Sequence, residues 1–269
     1  MSVDLEDWFC VSNLNDVIPR QEWDRCESRV VRNAHRLLEL FEKHHVKATF
    51  FVLGWIADRF PELVQEIERK GHEISVHGYF HLQLTGINPK EFENDLKQSI
   101  EAVRQAGVHQ QVIGFRAPSF SIVNSTLWAF PILERNEIRY DSSIFPVGFH
   151  PDYGIPGAPL RPYNVTEGMK EFPMSCARLL GGRIPCCGGA YFRFFPYRFT
   201  RFLMKRCNRE GRPVVFYIHP WELDPGQPKV KLPLAKRFRH YHGLDYTYKK
   251  LEKLLADFEF TTIKKVLEL

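Results

Sequence analysis

No CxxC pair occurs in this sequence: its six cysteines stand at positions 10, 26, 176, 186, 187 and 207. Without that spacing a zinc ribbon or thioredoxin-like redox site has little support. Scattered thiols of this kind are expected to be reduced and mostly buried. No run approaches the ~18 apolar residues of a membrane-spanning helix. The N-terminus carries an acidic cluster where a signal peptide would be basic and then apolar. The expectation is a soluble protein, cytoplasmic or peripheral to an inner membrane, with no stable membrane insertion. No Ser/Gly-rich linker, low-complexity run or internal repeat divides the chain, so residues 1–269 read as one domain. A basic stripe is also missing: the formal charge is +5, but Lys, Arg, Asp and Glu are interspersed, which argues against a nucleic-acid partner.

What is present is a core-forming composition, 44% hydrophobic over 269 residues, arranged in an alternating rhythm. Val30, Ala34, Leu37, Leu38 and Phe41 share a helical face within 29–43. "KATFFVL" (47–53) follows as a buried strand. Pro61 opens a helix that Gly71 ends, and a strand at 73–77 comes next. Pro89 begins a helix to about Ala106, followed by the strand-like "QVIGF", a helix near 125–136 and the short strand "IRYD" ending at Asp141. Residues 145–162, rich in Pro, Gly and aromatics, read as an ordered surface loop. A helix at 196–211, the strand "PVVFYIH" from 213, a helix near 245–257 and a short strand "FEFTTI" complete the chain. Such alternation predicts an α/β fold with parallel strands.

In folds of this kind functional groups gather at the carboxyl ends of strands. Here those ends carry Asp4 to Asp7, His77 with His81, Arg116, Asp141 and His219. The stretch "ISVHGYFH" places two histidines four positions apart, just where Gly78 permits the chain to turn. Two imidazoles and a carboxylate are a recurring ligand set for a catalytic divalent metal. In "VDLEDW", Asp4 and Glu6 share a face of an extended strand and Asp7 can join them once the chain turns, so the third ligand is Glu6 or Asp7. Hydrolysis also needs a base and an acid. Asp4 is the simplest base, oriented by Arg116, and His219 the acid, supported by Asp141.

These motifs resemble, in order, those of the polysaccharide deacetylase family, also called the NodB homology domain or carbohydrate esterase family 4. "SVDLEDW" resembles the acidic motif, "HGYFH" the His-x-x-x-His motif, "RAPSF" the Arg-x-Pro motif, "YDSSIF" the fourth and "YIHPWE" the last. "YGIPGAP", "GGAYFR" and "FYIHPWELDPGQP" are similar to deacetylases of exopolysaccharide loci associated with exosortases, whose C-terminal part corresponds to about 222–269. The resemblance implies a distorted (β/α)7 barrel of the NodB type with a C-terminal extension, and metal-assisted removal of N-acetyl groups from hexosamine units in exopolysaccharide biosynthesis. It implies catalytic roles for Asp4, His219, Arg116 and Asp141, and one divalent metal on His77, His81 and Glu6 or Asp7, zinc before cobalt or nickel. The Ser119 N–H falls where the family stabilises an oxyanion. Trp8, Tyr79, Phe120, Phe145, Tyr191 and Trp221 lie near the motifs and are candidates for stacking on sugars of an N-acetylated glycan. Phe80 stands where related sequences often have Ser or Thr, so a hydrogen bond supporting the His81 loop is expected to be absent. A metal-independent amidase of the allantoinase-like branch and a silent carbohydrate-binding module are the alternatives. Retention of both histidines argues against the first, and retention of Asp4 and His219 against the second.

Overall fold

The computed structural model describes residues 1–148, 150 and 153–269. In chain order the first half gives β1 (Ser2–Leu5), α1 (Val30–Lys43), β2 (Thr49–Val52), α2 (Gly54–Arg59), α3 (Pro61–Arg69), β3 (Glu73–Val76), α4 (Pro89–Gln105), β4 (Gly114–Phe115) and α5 (Ala129–Arg135). The second gives β5 (Tyr140–Asp141), β6 (Tyr163–Asn164), β7 (Lys170–Glu171), β8 (Cys176–Leu179), β9 (Gly182–Pro185), α6 (Gly189–Phe194), α7 (Tyr197–Arg209), β10 (Tyr217–Ile218), α8 (Leu234–Tyr241), α9 (Leu244–Asp257) and α10 (Ile263–Leu267). The main sheet runs β10-β1-β2-β3-β4-β5-β7-β6, with every neighbouring pair parallel except β6 against β7. The strands β8 and β9 form a separate antiparallel hairpin.

The sheet is curled. Neighbouring strands lie about 4.8 Å apart, so β1 and β4 would be separated by roughly 14 Å in a flat sheet. Yet Arg116, directly after β4, hydrogen-bonds Ser2 and Asp4 of β1. Tyr140 on β5 likewise packs its ring against Phe51 on β2. The concave side is thus a half-barrel, and the helices bury their apolar stripes on the convex side. Phe41, Leu37 and Ala34 of α1 and Leu63, Val64 and Ile67 of α3 are almost wholly enclosed there.

Local chemistry sets the helix starts. Asn88 accepts from the N–H groups of Lys90 and Glu91 while Glu91 accepts from Asn88 N–H, a capping box in front of α4, with Pro89 in its first turn. Pro61 opens α3 in the same way.

Two expectations are corrected. "FEFTTI" is not a strand: it leads into α10, whose first N–H groups donate to the side chains of Thr49 and Glu73, so this segment covers the amino-terminal ends of β2 and β3 instead of pairing alongside a strand. The strand expected from 213 is regular only at Tyr217–Ile218. The periodicity reading also passed over α2, the β8–β9 hairpin, α6 and α8, which are short or carry polar and apolar residues in no clear period. The six cysteines are free, and all but Cys26 are buried. No helix among the described residues is long and apolar enough to cross a membrane.

Candidate active site

Because the strands are parallel, their carboxyl ends open on one rim, and that rim carries Asp4, Glu6, His77, Arg116 and His219. Alternation along β1 turns Asp4 and Glu6 inward while Val3 and Leu5 pack outward. The rim encloses a cavity of about 510 Å³, bounded on one side by Asp4, Glu6, His77 and His81 and on another by His219, Trp221 and Glu222.

Glu6, His77 and His81 bring one potential ligand atom each within 4.8 Å of one another, and all three residues are buried. His77 Nδ1 lies 2.8 Å from the carbonyl oxygen of Arg116. A carbonyl can only accept, so Nδ1 carries the proton and Nε2 is left with its lone pair free. Burial lowers His77 to about 4 and pushes His81 well below its ordinary value, so both rings are neutral. Glu6 Oε2 is enclosed and accepts no hydrogen bond; His81 Nε2 stands 3.4 Å away. Burial raises the Glu6 carboxyl to about 8, with the charge of Asp4 adding to the effect. A buried carboxylate oxygen without a donor, facing two neutral imidazoles, is a donor set that fits a divalent cation.

Asp7 does not join this set. Its carboxylate accepts from Trp8 N–H, Ser28 Oγ and the N–H groups of Arg29 and Val30 at 2.6–3.1 Å. It is therefore committed to the N–H groups at the start of α1 that have no partner within the helix. The choice between Glu6 and Asp7 thus falls geometrically on Glu6.

The loop bearing the histidines is held without a side-chain hydrogen bond from residue 80. Asp95 of α4 accepts from the N–H groups of Tyr79 and Phe80, and Ser99 Oγ donates to Gly78 O. Gly78 has φ +73°, and a side chain there would meet Asp95 Oδ2 at 2.8 Å. Phe80 instead lies under the guanidinium of Arg20. The missing loop hydrogen bond is replaced from α4. His81 itself takes φ +57°, a left-handed conformation uncommon outside glycine.

Beside Asp4, Arg116 is fully buried and makes four hydrogen bonds: to Asp4 Oδ1 at 2.6 Å, Ser2 Oγ, Ser142 O and Ser142 Oγ. Its guanidinium also lies over Phe51. Asp4 is thereby fixed with Oδ2 3.8 Å from His219 Nε2.

At His219 the expected partner is corrected. Asp141 accepts from Ser143 N–H and Oγ and sits against Glu171, so it braces the turn after β5 and does not reach His219. His219 Nδ1 is held by Glu222 Oε2 at 2.9 Å, and Nε2 faces Glu6 Oε1 at 3.1 Å. Burial alone would lower His219; the carboxylates of Glu222 and Glu6 outweigh it and raise the ring to about 9. Glu222 is in turn fixed by buried Arg193, 2.7 Å away. Burial would raise Glu222, but His219 and Arg193 bring it down to about 2. Trp221 stacks on His219 on one side and on His240 on the other. Sequence reasoning passed over Glu222 and Arg193, although Glu222, three residues after His219 in "HPWE", was a visible signal.

Of the proposed substrate contacts, Ser119, Phe120, Tyr191 and Trp221 line the cavity, with Tyr153, Tyr217 and Phe194 added. Ser119 and Phe120 both have positive φ, and Ser119 Oγ pairs with Ser12 Oγ, which lies 3.5 Å from His81 Nδ1. Tyr79 points away, donating to Asp58, while Trp8 donates to Glu27 O and Phe145 is enclosed beneath Phe120 and Tyr153; none of the three lines the cavity.

Residues 22–134 match the family "Polysaccharide deacetylase". That stretch is similar to a polysaccharide deacetylase domain. Residues 142–268 match a second family, "Domain of unknown function (DUF3473)". Asp4 and Glu6 precede the deacetylase match, and His219, Glu222 and Arg193 lie in the DUF3473 region, so the cavity draws on all three stretches. The chain is 38% identical over 96 residues to a peptidoglycan-N-acetylglucosamine deacetylase of Bacillus cereus, covering 35% of this chain and 34% of the relative. It is 32% identical over 118 residues to a peptidoglycan deacetylase of Helicobacter pylori, covering 44% and 39%. The alignments thus span about a third of each relative's length. A crystal structure from Mycobacterium smegmatis, assigned as a polysaccharide deacetylase, superposes with a TM-score of 0.61 at 24% identity, covering 99% of this chain and 88% of the other. That likeness concerns the fold.

Proposed function

We propose that this protein is a metal-dependent hydrolase that removes acetyl from N-acetylated hexosamine units of a polysaccharide or its precursor, in exopolysaccharide biosynthesis. The observation that carries the reading is the juxtaposition, in one cavity, of Glu6, His77 and His81 with an Arg116-held Asp4 and a Glu222-held His219. The names of the relatives, deacetylases of peptidoglycan and of chitooligosaccharide, support the substrate class.

Glu6, His77 and His81 would hold one divalent metal, zinc before cobalt or nickel, which supplies polarisation of the amide carbonyl and acidification of water. Asp4, oriented by Arg116, takes the proton from the attacking water. His219 gives a proton to the leaving nitrogen as the C–N bond breaks, releasing acetate and an amine. Glu222 holds the Nδ1 proton, which makes Nε2, the atom facing the cavity, the one that delivers. Phe120, Tyr153, Tyr191 and Trp221 offer ring faces against which sugar faces pack.

Acetate release from a panel of N-acetylated glycans, with zinc, cobalt or chelator present, tests the reading. Metal-dependent release is expected. Release that survives exhaustive chelation overturns the metal requirement, and none from any glycan overturns the reaction.

A further inference from the structure

Helix α8 has its apolar side facing outward. Leu234 is 83% exposed and Phe238, one turn on, 59% exposed, with exposed Ala235 beside them. The opposite side is anchored: His240 is fully buried against Trp221, and Arg193 donates to the carbonyls of Arg239, His240 and His242 at the helix end. The outward position of these apolar groups is therefore set by the packing of the helix.

Charge frames this stripe. On the helical wheel Arg237 and Arg239 flank Leu234 and Phe238 on either side, and Lys229 and Lys231 precede them. No Asp or Glu occurs between Asp224 and Asp245, and the acidic contact of this stretch is the pair of Lys236 with Asp16. An exposed apolar stripe bordered by cations matches the interfacial zone of an anionic bilayer, where the apolar groups enter the headgroup boundary and the cations meet lipid phosphates. The stripe also adjoins the cavity mouth: Phe238 stacks on Phe194, which lines the cavity with Arg239 and Lys236.

We propose that α8 docks the protein on an anionic phospholipid surface, with the cavity mouth set beside the headgroups. This goes beyond the deacetylase reading and does not depend on turnover. A glycan presented at that surface would enter directly.

The test is co-sedimentation of the full chain with vesicles of phosphatidylcholine alone and of phosphatidylcholine mixed with phosphatidylglycerol. Binding is expected to the mixed vesicles and not to phosphatidylcholine alone, weakening as salt screens the charges. Leu234→Ser should lower the bound fraction's partition coefficient about tenfold, through lost apolar burial. Lys229→Glu with Lys231→Glu should lower it at least ~25-fold, about fivefold for each cation removed. Both variants touch exposed positions outside the cavity wall and should keep the wild-type melting temperature. Equal binding to both vesicle types, unchanged binding in both variants, or a dimer by light scattering that Leu234→Ser dissolves would each overturn the proposal. The last outcome would assign the stripe to a second copy of the chain.

Discussion

The two sides of the cavity are built by opposite means. On the ligand side, Glu6, His77 and His81 come from short segments at the ends of β1 and β3, the two strands flanking β2, and their support is close at hand: the Arg116 carbonyl, the Asp95 carboxylate and one serine pair. On the opposite side, His219 depends on a relay of side chains, Glu222, Arg193, Trp221 and His240, that spans residues 193 to 240. The first is a construction of strand register. The second is a buried electrostatic and stacking network, in which each member holds the next.

The largest effects should separate the two sides cleanly. His77→Ala or His81→Ala is expected to abolish bound metal, measured on protein purified without a histidine tag, and acetate release with it. Asp4→Asn or His219→Ala should keep the metal and lose about 10²- to 10⁴-fold in rate, the range for a general base or acid. Full activity in Asp4→Asn would remove the base assignment.

Next in size is Glu222→Gln. The Glu222 carboxylate helps to hold His219 above its ordinary value against burial, so the ring stays an acid through neutral pH and the rate should fall on the alkaline side. Removing the Glu222 carboxylate returns the ring toward its ordinary value, which moves the falling limb of the rate profile to lower pH. The same sign governs stability: the raised His219 contributes fully below about pH 6.5 and the contribution is lost as pH rises through about 9. An unmoved limb in Glu222→Gln would show that the acid is held by something else. Asp141→Asn supplies the matched comparison, because Asp141 bonds the turn at Ser143; its limb should stay where the wild type has it.

Smaller still is Asp7→Ala, which strips acceptors from the start of α1. A loss of about 1 kcal/mol is expected, roughly 2–4 °C in melting temperature for a chain of this size, with metal content unchanged. Loss of metal in that variant would return Asp7 to the ligand set. The metal itself should raise the melting temperature, since it binds the folded site and relieves the donorless Glu6 oxygen; chelation followed by thermal scanning measures this.

Legibility in the sequence follows the same division. His77, His81, Asp4 and Arg116 were readable because strand ends announce themselves by alternation and by a following turn, and parallel topology then gathers them. Whether Glu6 or Asp7 faced the histidines was not readable, since it depends on where the chain leaves β1 and on α1 offering its N–H groups to Asp7. Asp141 was paired with His219 because both stand at strand ends; the space between β5 and β10 had to be seen before Glu222 could replace it. Tyr79 and Phe145 carried the right chemistry, but side-chain direction, fixed by packing, turned them elsewhere. Short elements such as α2, α6 and α8 escaped because fewer than about three turns do not establish a period.

The seam between the two family matches falls within residues 135–141, and β4 and β5 lie side by side across it, with Gly114 opposite Tyr140 and Phe115 opposite Asp141. For recombination this has a definite meaning. A crossover at the seam swaps neighbouring staves of one curled wall: the incoming half must bring a side chain that fits beside Gly114, where even a methyl would lie 2.2 Å from the Tyr140 ring, and a serine at 142 to receive Arg116. Heredity can divide the chain there only if both parents already share that joint.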